Sequence, residues 1–196
     1  MTAATPEATE TAAGIGGIGA PEQSALSIVV VVGNPKAGSR TLTAAAALAA
    51  AVAGALPAST TTVVDLAGIA GGLLAPWSLS EEASIAVAAV RSADVLVVAT
   101  PTYKASFTGL LKLLLDTLPA GSLASTVVLP LTVSAGPAHR HLADWQLRPV
   151  LGELGAVTPV PSLLLSESEL PELDAVIAAY VAAHGRQVAA AVGALR

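Results

Sequence analysis

The amino-acid sequence predicts an α/β domain in which helices cover both faces of a parallel sheet. Five short runs rich in Val, Leu and Ile alternate along the chain with helical stretches, and this alternation is typical of parallel sheets. Several of the runs are continuously apolar, which indicates strands that are buried on both faces. The length of 196 residues fits one such domain.

The composition excludes several classes of protein. The chain has no Cys, which excludes disulfides, thiol catalysis and cysteine-ligated metal centres. Its net charge is −5, and the nine Lys and Arg residues are spread along the chain, so we expect no nucleic-acid partner. The first basic residue is Lys36. The N-terminus therefore lacks the positive segment of a secretory signal, and we expect a cytoplasmic protein.

No association with a membrane is expected. The uncharged stretch 41–64 is a poor candidate for a membrane span, because Ala, Thr and Gly dominate it and Pro57 interrupts it.

Residues 1–24 are predicted to be a disordered tail that precedes one domain at 25–196. The tail consists mainly of Thr, Ala, Glu, Gly and Pro, and it offers too little apolar surface to offset its ordering entropy. It contains Gly14-Ile15-Gly16-Gly17-Ile18-Gly19, which matches the GxGxxG spacing of dinucleotide-binding loops. However, this stretch follows no strand and opens no helix, so we expect no cofactor there.

The predicted strands lie at 27–32, 61–66, 93–100, 125–133 and 157–165. The first is the run SIVVVV, which ends at Gly33 and Pro35. The third, ADVLVVAT, has the clearest pattern. The fifth contains two prolines, which mark it as an edge strand.

The predicted helices lie at 41–54, 80–91, 107–118, 139–154 and 173–195. The first is made of good helix formers and ends near Gly54 and Pro57, after which the second strand begins. Between the second strand and the second helix lies a loop with three glycines, at 68–76.

Ser80 is a hydroxyl cap for the second helix, whose first turn is acidic. The third carries apolar residues at helical spacing and an i, i+4 pair between Lys112 and Asp116. The fourth carries Trp145, and the fifth is long and Ala-rich.

The expected topology is a three-layer, flavodoxin-like fold with strand order 2-1-3-4-5. Ligands of such sheets bind beyond the carboxyl ends of the strands, at the switch point between the first and third strands. The loops at these strand ends are therefore the places to search for a site.

The first of these loops, GNPKAGSRTL at 33–42, runs directly into a helix. It combines hydroxyl, carboxamide and cationic side chains at a helix N-terminus, where free amides and the helix dipole favour a phosphate. Gly33 and Gly38 permit tight turns and close backbone approach. The alternative is an ordinary loop with a Ser or Thr cap and two solvated cations. The spacing is not that of a GxxxxGK[ST] P-loop.

The loops after the third and fourth strands are TPTYKASFTG at 100–109 and LTVSAGPAHRH at 131–141. The aromatic residues Tyr103 and Phe107 suit a ligand with a flat ring, or they pack the loop against the sheet. Small residues at 134–136 allow the backbone to approach a planar ligand. His139 and His141 are two residues apart at a helix start and diverge, so we predict surface or interface positions and no metal site.

Together the three loops resemble the NAD(P)H-dependent FMN reductase family, in the branch that supplies reduced flavin to two-component monooxygenases such as those acting on alkanesulfonates. The resemblance rests on GNPKAGSRT, on ATPTYKASFTGLLKLLLDTLP at 99–119 and on the segment 127–156, and it covers about 28–165. The most specific part is the pattern PxYKxSxxGxLKxxLDxLP.

The resemblance implies FMN as a cofactor and NADPH or NADH as the reductant. It places the FMN phosphate at the first loop, the isoalloxazine at the second and the pyrimidine edge of the ring at the third. The implied FMN-binding residues are Asn34, Lys36, Ser39, Arg40, Thr41, Pro101, Thr102, Tyr103, Lys104, Ser134, Ala135 and Gly136. The family often has Ser in place of Asn34 and Gly-Gly-Thr in place of 134–136, and these differences bear on the affinity for FMN.

The resemblance also implies a homo-oligomer, a dimer or tetramer, and a partner monooxygenase. Trp145 occupies the place of an inserted aromatic residue at the tetramer interface that is linked to flavin transfer. Its alternative role is that of a half-buried interface tryptophan.

The implied reaction passes a hydride from nicotinamide C4 to flavin N5, for which no general base is obligatory. We expect Asp65, Asp94, Asp116 and Asp144 to be solvated at strand ends or helix surfaces, and we name no catalytic residue. The alternatives are a quinone or azo reductase that retains FMN, a non-enzymatic flavodoxin-like electron carrier, and a flavin-free interaction module on the same sheet.

Overall fold

A computed structural model describes Met1 and residues 25–196, so the GIGGIG motif and the predicted tail lie outside the described residues. The sheet has five parallel strands in the order β2-β1-β3-β4-β5. The flavodoxin-like order predicted from the sequence is confirmed. The strands are β1 Leu26–Val32, β2 Ser59–Asp65, β3 Val95–Pro101, β4 Val127–Ser134 and β5 Leu163–Ser166.

Five helices alternate with the strands. They are α1 Arg40–Gly54, α2 Glu81–Arg91, α3 Gly109–Leu115, α4 Leu142–Glu153 and α5 Leu173–Leu195. Short 3₁₀ turns occupy Leu66–Gly68, Ala70–Leu73, Pro137–His139 and Glu167–Glu172. Three of the helices begin where a hydroxyl accepts a backbone N–H, as the sequence predicts for Ser80.

Alternate residues of each central strand point into two separate apolar layers. In β1, Val30 faces the layer that includes Leu48 of α1 and Val188 of α5. Its neighbour Val31 faces the opposite layer, which α2, α3 and α4 cover. The two layers explain why β1, β3 and β4 are continuously apolar, because neither face of these strands meets water.

The predicted fifth strand begins too early. Ordered pairing starts at Leu163, and upstream only Val157 forms an isolated parallel bridge, with Val127. Pro159 and Pro161 lack the N–H that a ladder requires, so the chain between them cannot extend the strand. The edge position of β5 is confirmed.

Two predicted helices are longer than the structure shows. The helix predicted at 107–118 extends from Gly109 to Leu115, because Thr108 is its N-cap. The helix predicted at 139–154 begins at Leu142, after the 3₁₀ turn at Pro137–His139.

The C-terminal helical stretch is long and apolar. Among the described residues, Glu167–Leu195 has the length and composition to cross a bilayer, a test that core helices of soluble proteins also pass. Ile177, Val188 and Val192 of α5 are buried in the layer shared with α1. In this structure α5 is thus a covering helix of the sheet.

Candidate functional site

The parallel strands bring their carboxyl ends to one edge of the sheet, and backbone contacts join the loops that follow them. The Gly33 amide donates to the Ala99 carbonyl at 2.8 Å, which ties the first loop to β3. The Thr102 amide donates to the Val133 carbonyl at 2.8 Å, which ties the second loop to β4. The three predicted loops therefore form one continuous surface.

The N-terminus of α1 presents free backbone donors at this surface. Ser39 is the N-cap, and its hydroxyl accepts the Leu42 amide at 3.2 Å while its carbonyl accepts the Thr43 amide at 3.1 Å. The first amides of a helix have no intrahelical partner. Within the described part of the chain, no protein acceptor meets the amides of Ser39, Arg40 and Thr41. The arrangement leaves these three N–H groups for an anion or water.

Side chains of the first loop fix its shape. The Asn34 amide nitrogen donates to the Thr41 hydroxyl at 3.2 Å, and its carbonyl oxygen accepts the Lys36 amide at 3.0 Å. At the far end, the Gly38 amide donates to Asp65 Oδ2 at 3.1 Å, and Gly38 has a φ of +62°. Asn34 therefore holds the loop around the helix start, and Gly38 supplies the left-handed turn that a side chain rarely adopts.

The side chain of Arg40 is engaged by a residue that sequence reasoning missed. Its Nη2 lies 2.7 Å from Oε1 of Glu167, in the turn after β5, and the two side chains are 66% and 44% exposed. The guanidinium is thus held at the rim of the α1 N-terminus by an exposed ion pair.

The second loop contains a tight hairpin turn. Tyr103 and Ser106 exchange two backbone hydrogen bonds, of 2.8 and 3.0 Å. Between them Lys104 and Ala105 have φ values of 49° and 65°. Two consecutive non-glycine residues in the left-handed region store backbone strain, which is typical of functional loops.

The remaining predicted residues of the second loop differ in burial. Pro101 ends β3 and is buried, and Tyr103 is exposed. The Thr102 hydroxyl is buried without a hydrogen-bond partner among the described residues. A buried, unpaired hydroxyl is costly unless a ligand or water meets it. Phe107 is half-buried against the layer covered by α3, so packing is its visible role.

Thr108, which sequence reasoning also missed, links the first and second loops. Its hydroxyl donates to the Gly33 carbonyl and accepts the Leu111 amide at 3.2 Å, and its own amide donates to the Thr100 hydroxyl at 3.2 Å. A Cβ on Gly33 would lie 2.6 Å from Leu111 Cβ. The absence of a side chain at Gly33 therefore lets α3 pack directly against the first loop.

The third loop is tied to its neighbouring strand by Ser134. The Ser134 hydroxyl is buried and donates within the protein, with acceptors at the Gly136 and Leu165 carbonyls at 3.1 and 3.2 Å. It therefore ties β4 to β5. Ala135 is exposed and Gly136 is partly exposed, so these two residues present the accessible backbone of this loop.

Arg140 anchors the third loop to the turn after β5. Its Nη2 contacts Glu169 Oε1 at 2.8 Å and donates to the Leu164 carbonyl at 2.7 Å. Glu169 also accepts the Ser166 amide and hydroxyl. Desolvation alone would raise the pKa of Glu169, but the hydrogen bonds from Arg140 and Ser166 together hold it below the ordinary value.

The prediction that the aspartates are solvated is wrong for Asp144. This residue is 7% exposed. Arg148 Nε contacts its carboxylate at 3.2 Å, and the Ser162 hydroxyl also donates to it. Asp94 is likewise engaged, since it accepts the Ser27 amide at 2.7 Å. Asp144 thus pairs with Arg148, and Asp94 also pairs with Arg196 at 3.2 Å.

The other predicted interface residues lie at the surface. Trp145 is 64% exposed, and its ring stacks on His141 with centroids 5.7 Å apart. His139 is exposed as well. Among the residues that the structure describes, no cluster of His, Cys, Asp or Glu could hold a metal ion.

Some of the missed residues carried a signal in the sequence. Thr108 directly precedes an apolar helical run, which is a helix-start pattern. Asp65 lies one residue before the end of the predicted second strand, and all strands of a parallel sheet end at the same edge. Glu167 carried none, because its partner lies 127 residues away.

The N-terminus of α1 thus offers free backbone donors of the kind that bind an anion. Comparison with known proteins identifies relatives of this chain. Residues 26–169, which include all three loops, match the family model described as NADPH-dependent FMN reductase.

Two related sequences and one solved structure show the extent of the similarity. The NADH-dependent FMN reductase SfnF of Pseudomonas fluorescens is 32% identical over 149 residues, covering 75% of this chain and 80% of the relative. An FMN reductase (NADPH) of Pseudomonas putida is 43% identical over 81 residues, which is 41% of each chain. The apo structure of the NADH:FMN oxidoreductase EMOB has a TM-score of 0.70 at 33% identity, covering 81% of this chain and 89% of that chain.

Proposed function

The chain belongs to the NADPH-dependent FMN reductase family, and from this premise we propose that it transfers a hydride from NADPH or NADH to FMN. Membership in the family makes the chain an oxidoreductase that uses FMN and a nicotinamide nucleotide. The observation that carries the proposal is the set of free amides at the N-terminus of α1, in the loop where the resemblance places a phosphate.

The residues of the first loop suit the FMN phosphate. The amides of Ser39, Arg40 and Thr41 would donate to its oxygens, and the helix dipole would favour its charge. Lys36 and the guanidinium of Arg40 would add positive charge. Asn34 would act by holding Thr41 and the Lys36 amide in place.

The residues of the second and third loops suit the flavin ring. The unpaired hydroxyl of Thr102 is a hydrogen-bonding group that a ring edge would satisfy. Pro101 and the turn through Tyr103 and Lys104 would border the ring. The exposed backbone at Ala135 and Gly136 would meet its pyrimidine edge, while Ser134 holds this loop to β5.

When bound, FMN supplies the hydride-accepting ring, and the protein supplies binding and orientation. The hydrogen bond between Thr108 and Gly33 holds the first and second loops in fixed positions relative to each other. The exposed hairpin turn at Tyr103–Ser106 would border the nicotinamide ring that stacks on the flavin. Orientation of two rings by fixed loops is the contribution we assign to this chain.

Steady-state oxidation of NADPH and NADH, with and without added FMN, tests the function. We expect nucleotide oxidation that saturates with free FMN. No oxidation at saturating FMN, with or without an added quinone or azo compound, would exclude both the reductase and its quinone- or azo-reducing alternative, and would leave a flavodoxin-like carrier. Turnover that needs a quinone, with FMN retained through gel filtration, would favour the quinone reductase.

We also propose that the reduced flavin is supplied to a partner monooxygenase and that the chain forms a dimer or tetramer. The exposed Trp145, stacked on His141, supports an interface on α4. The matched experiment compares wild type with Trp145→Ala by light scattering and by coupled turnover with a flavin-dependent monooxygenase. An unchanged mass and unchanged coupling would remove Trp145 from both roles.

A further inference from the structure

We propose that Glu167 competes with the FMN phosphate for Arg40 and thereby weakens FMN binding. The inference rests on the proposed function, since it takes the FMN phosphate to bind at the α1 N-terminus. It assigns to Glu167, a residue outside the three loops predicted from the sequence, an effect on the affinity for FMN.

The Glu167 carboxylate and the FMN phosphate would both bind the guanidinium of Arg40. Arg40 is the first residue of α1, so its backbone lies among the free amides of the predicted phosphate site. Its side chain instead reaches Glu167 Oε1, 2.7 Å from Nη2. A guanidinium binds a carboxylate and a phosphate with the same planar donors. If the guanidinium turns to the phosphate, it gives up its Nη2 contact with Glu167.

The turn that carries Glu167 is firmly held. Two residues further on, Glu169 accepts the Ser166 amide and hydroxyl and contacts Arg140 at 2.8 Å. The turn therefore holds the segment that places the Glu167 carboxylate beside Arg40.

The exposure of the pair sets the size of the effect. With side chains 66% and 44% exposed, the pair belongs to the class of weak surface ion pairs. Replacing Glu167 should therefore change the FMN dissociation constant by about 1.5-fold to 5-fold and should not create a tightly bound cofactor.

Isothermal titration calorimetry with FMN and with riboflavin, which lacks the phosphate, tests the proposal on the full chain. Glu167→Gln should bind FMN more tightly by this factor and riboflavin with unchanged affinity. Glu172→Gln is the matched control, because Glu172 is an exposed glutamate in the same turn. It removes the same charge and should leave both affinities unchanged.

A double-mutant cycle separates competition from simple repulsion. In an Arg40→Ala background, Glu167→Gln should no longer tighten FMN binding. The proposal is overturned if FMN affinity is unchanged in Glu167→Gln, if the gain persists without Arg40, or if riboflavin or Glu172→Gln shows the same gain. Failure of the wild type to bind FMN would overturn the proposed function itself, and is seen before any variant is made.

Discussion

The hydroxyl of Thr108 donates to the carbonyl oxygen of Gly33 at 2.5 Å, across 75 positions of the sequence. The same hydroxyl caps α3 through the Leu111 amide. One buried side chain therefore joins the first loop to the helix that follows the second loop.

Replacement of Thr108 by Val should cost about 1–3 kcal/mol of unfolding free energy. Val has the same shape but leaves the Gly33 carbonyl and the Leu111 amide without their partner. Thr108→Ser keeps the hydroxyl and should retain most of the stability. Urea denaturation without flavin measures both variants, and equal stability of the Val and Ser variants would show that the hydroxyl has no such role.

Gly33→Ala should be destabilising by about 1–3 kcal/mol. The new Cβ would lie 2.6 Å from Leu111 Cβ, and this atom is fixed to the backbone of α3, so the helix itself must shift. Gly109→Ala is the matched control, because no atom lies within 4 Å of its added Cβ. The comparison uses chemical denaturation, and a Gly33→Ala protein as stable as Gly109→Ala contradicts the close packing.

Ala105→Gly should stabilise the protein by up to about 1 kcal/mol, because it relieves the strain of a φ of 65°. Ala105→Val should destabilise it, since a β-branched residue fits this region worst. The control is Ala135→Gly in the third loop, where φ lies outside the left-handed region. That variant should lose stability. The same loss for Ala105→Gly would show that no strain is stored in the turn.

The stability contributed by Glu169 should depend on pH. Its pKa lies below the ordinary value of 4.5 in the folded protein, so its contribution is present above that value and is lost as the pH falls through the folded pKa. The free energy of unfolding of the wild type should exceed that of Glu169→Gln by about 1 kcal/mol near neutral pH. The gap should close in acid, as denaturation at a series of pH values would show. Glu172→Gln should show no such trend, and a gap for Glu169→Gln that is constant with pH contradicts the ion pair with Arg140.

The sheet was predictable because its central strands carry an unbroken signal. Val29 to Val32 in β1 are buried on both faces, so neither polar alternation nor turn residues obscure the strand. The bounds of β5 were not predictable from hydrophobicity, because Val157, Val160 and the Leu residues at 163–165 have a similar pattern. Only the missing N–H groups of the intervening prolines separate them.

The loops of the candidate site could be located from the sequence, but not the contacts that organise them. A hydroxyl or amide beside a helix start is visible locally, as at Ser39 and Asn34. The pairing of Arg40 with Glu167 depends on which loops the fold brings together, whereas Arg148 and Asp144 are four residues apart on one helix. The burial of Asp144 could not be recognised from the sequence either. One of the groups that contact its carboxylate is Ser162, which lies beyond the end of α4.

The central claim is that the loops at the carboxyl edge bind FMN for reduction by a nicotinamide nucleotide. The most direct measurement mixes the protein anaerobically with FMN and NADPH, or NADH, and follows the absorption of oxidised flavin and of the nucleotide together. We expect both to disappear with one-to-one stoichiometry, more slowly in Arg40→Ala at subsaturating FMN. Persistence of oxidised flavin with both nucleotides, at saturating FMN, would contradict the account.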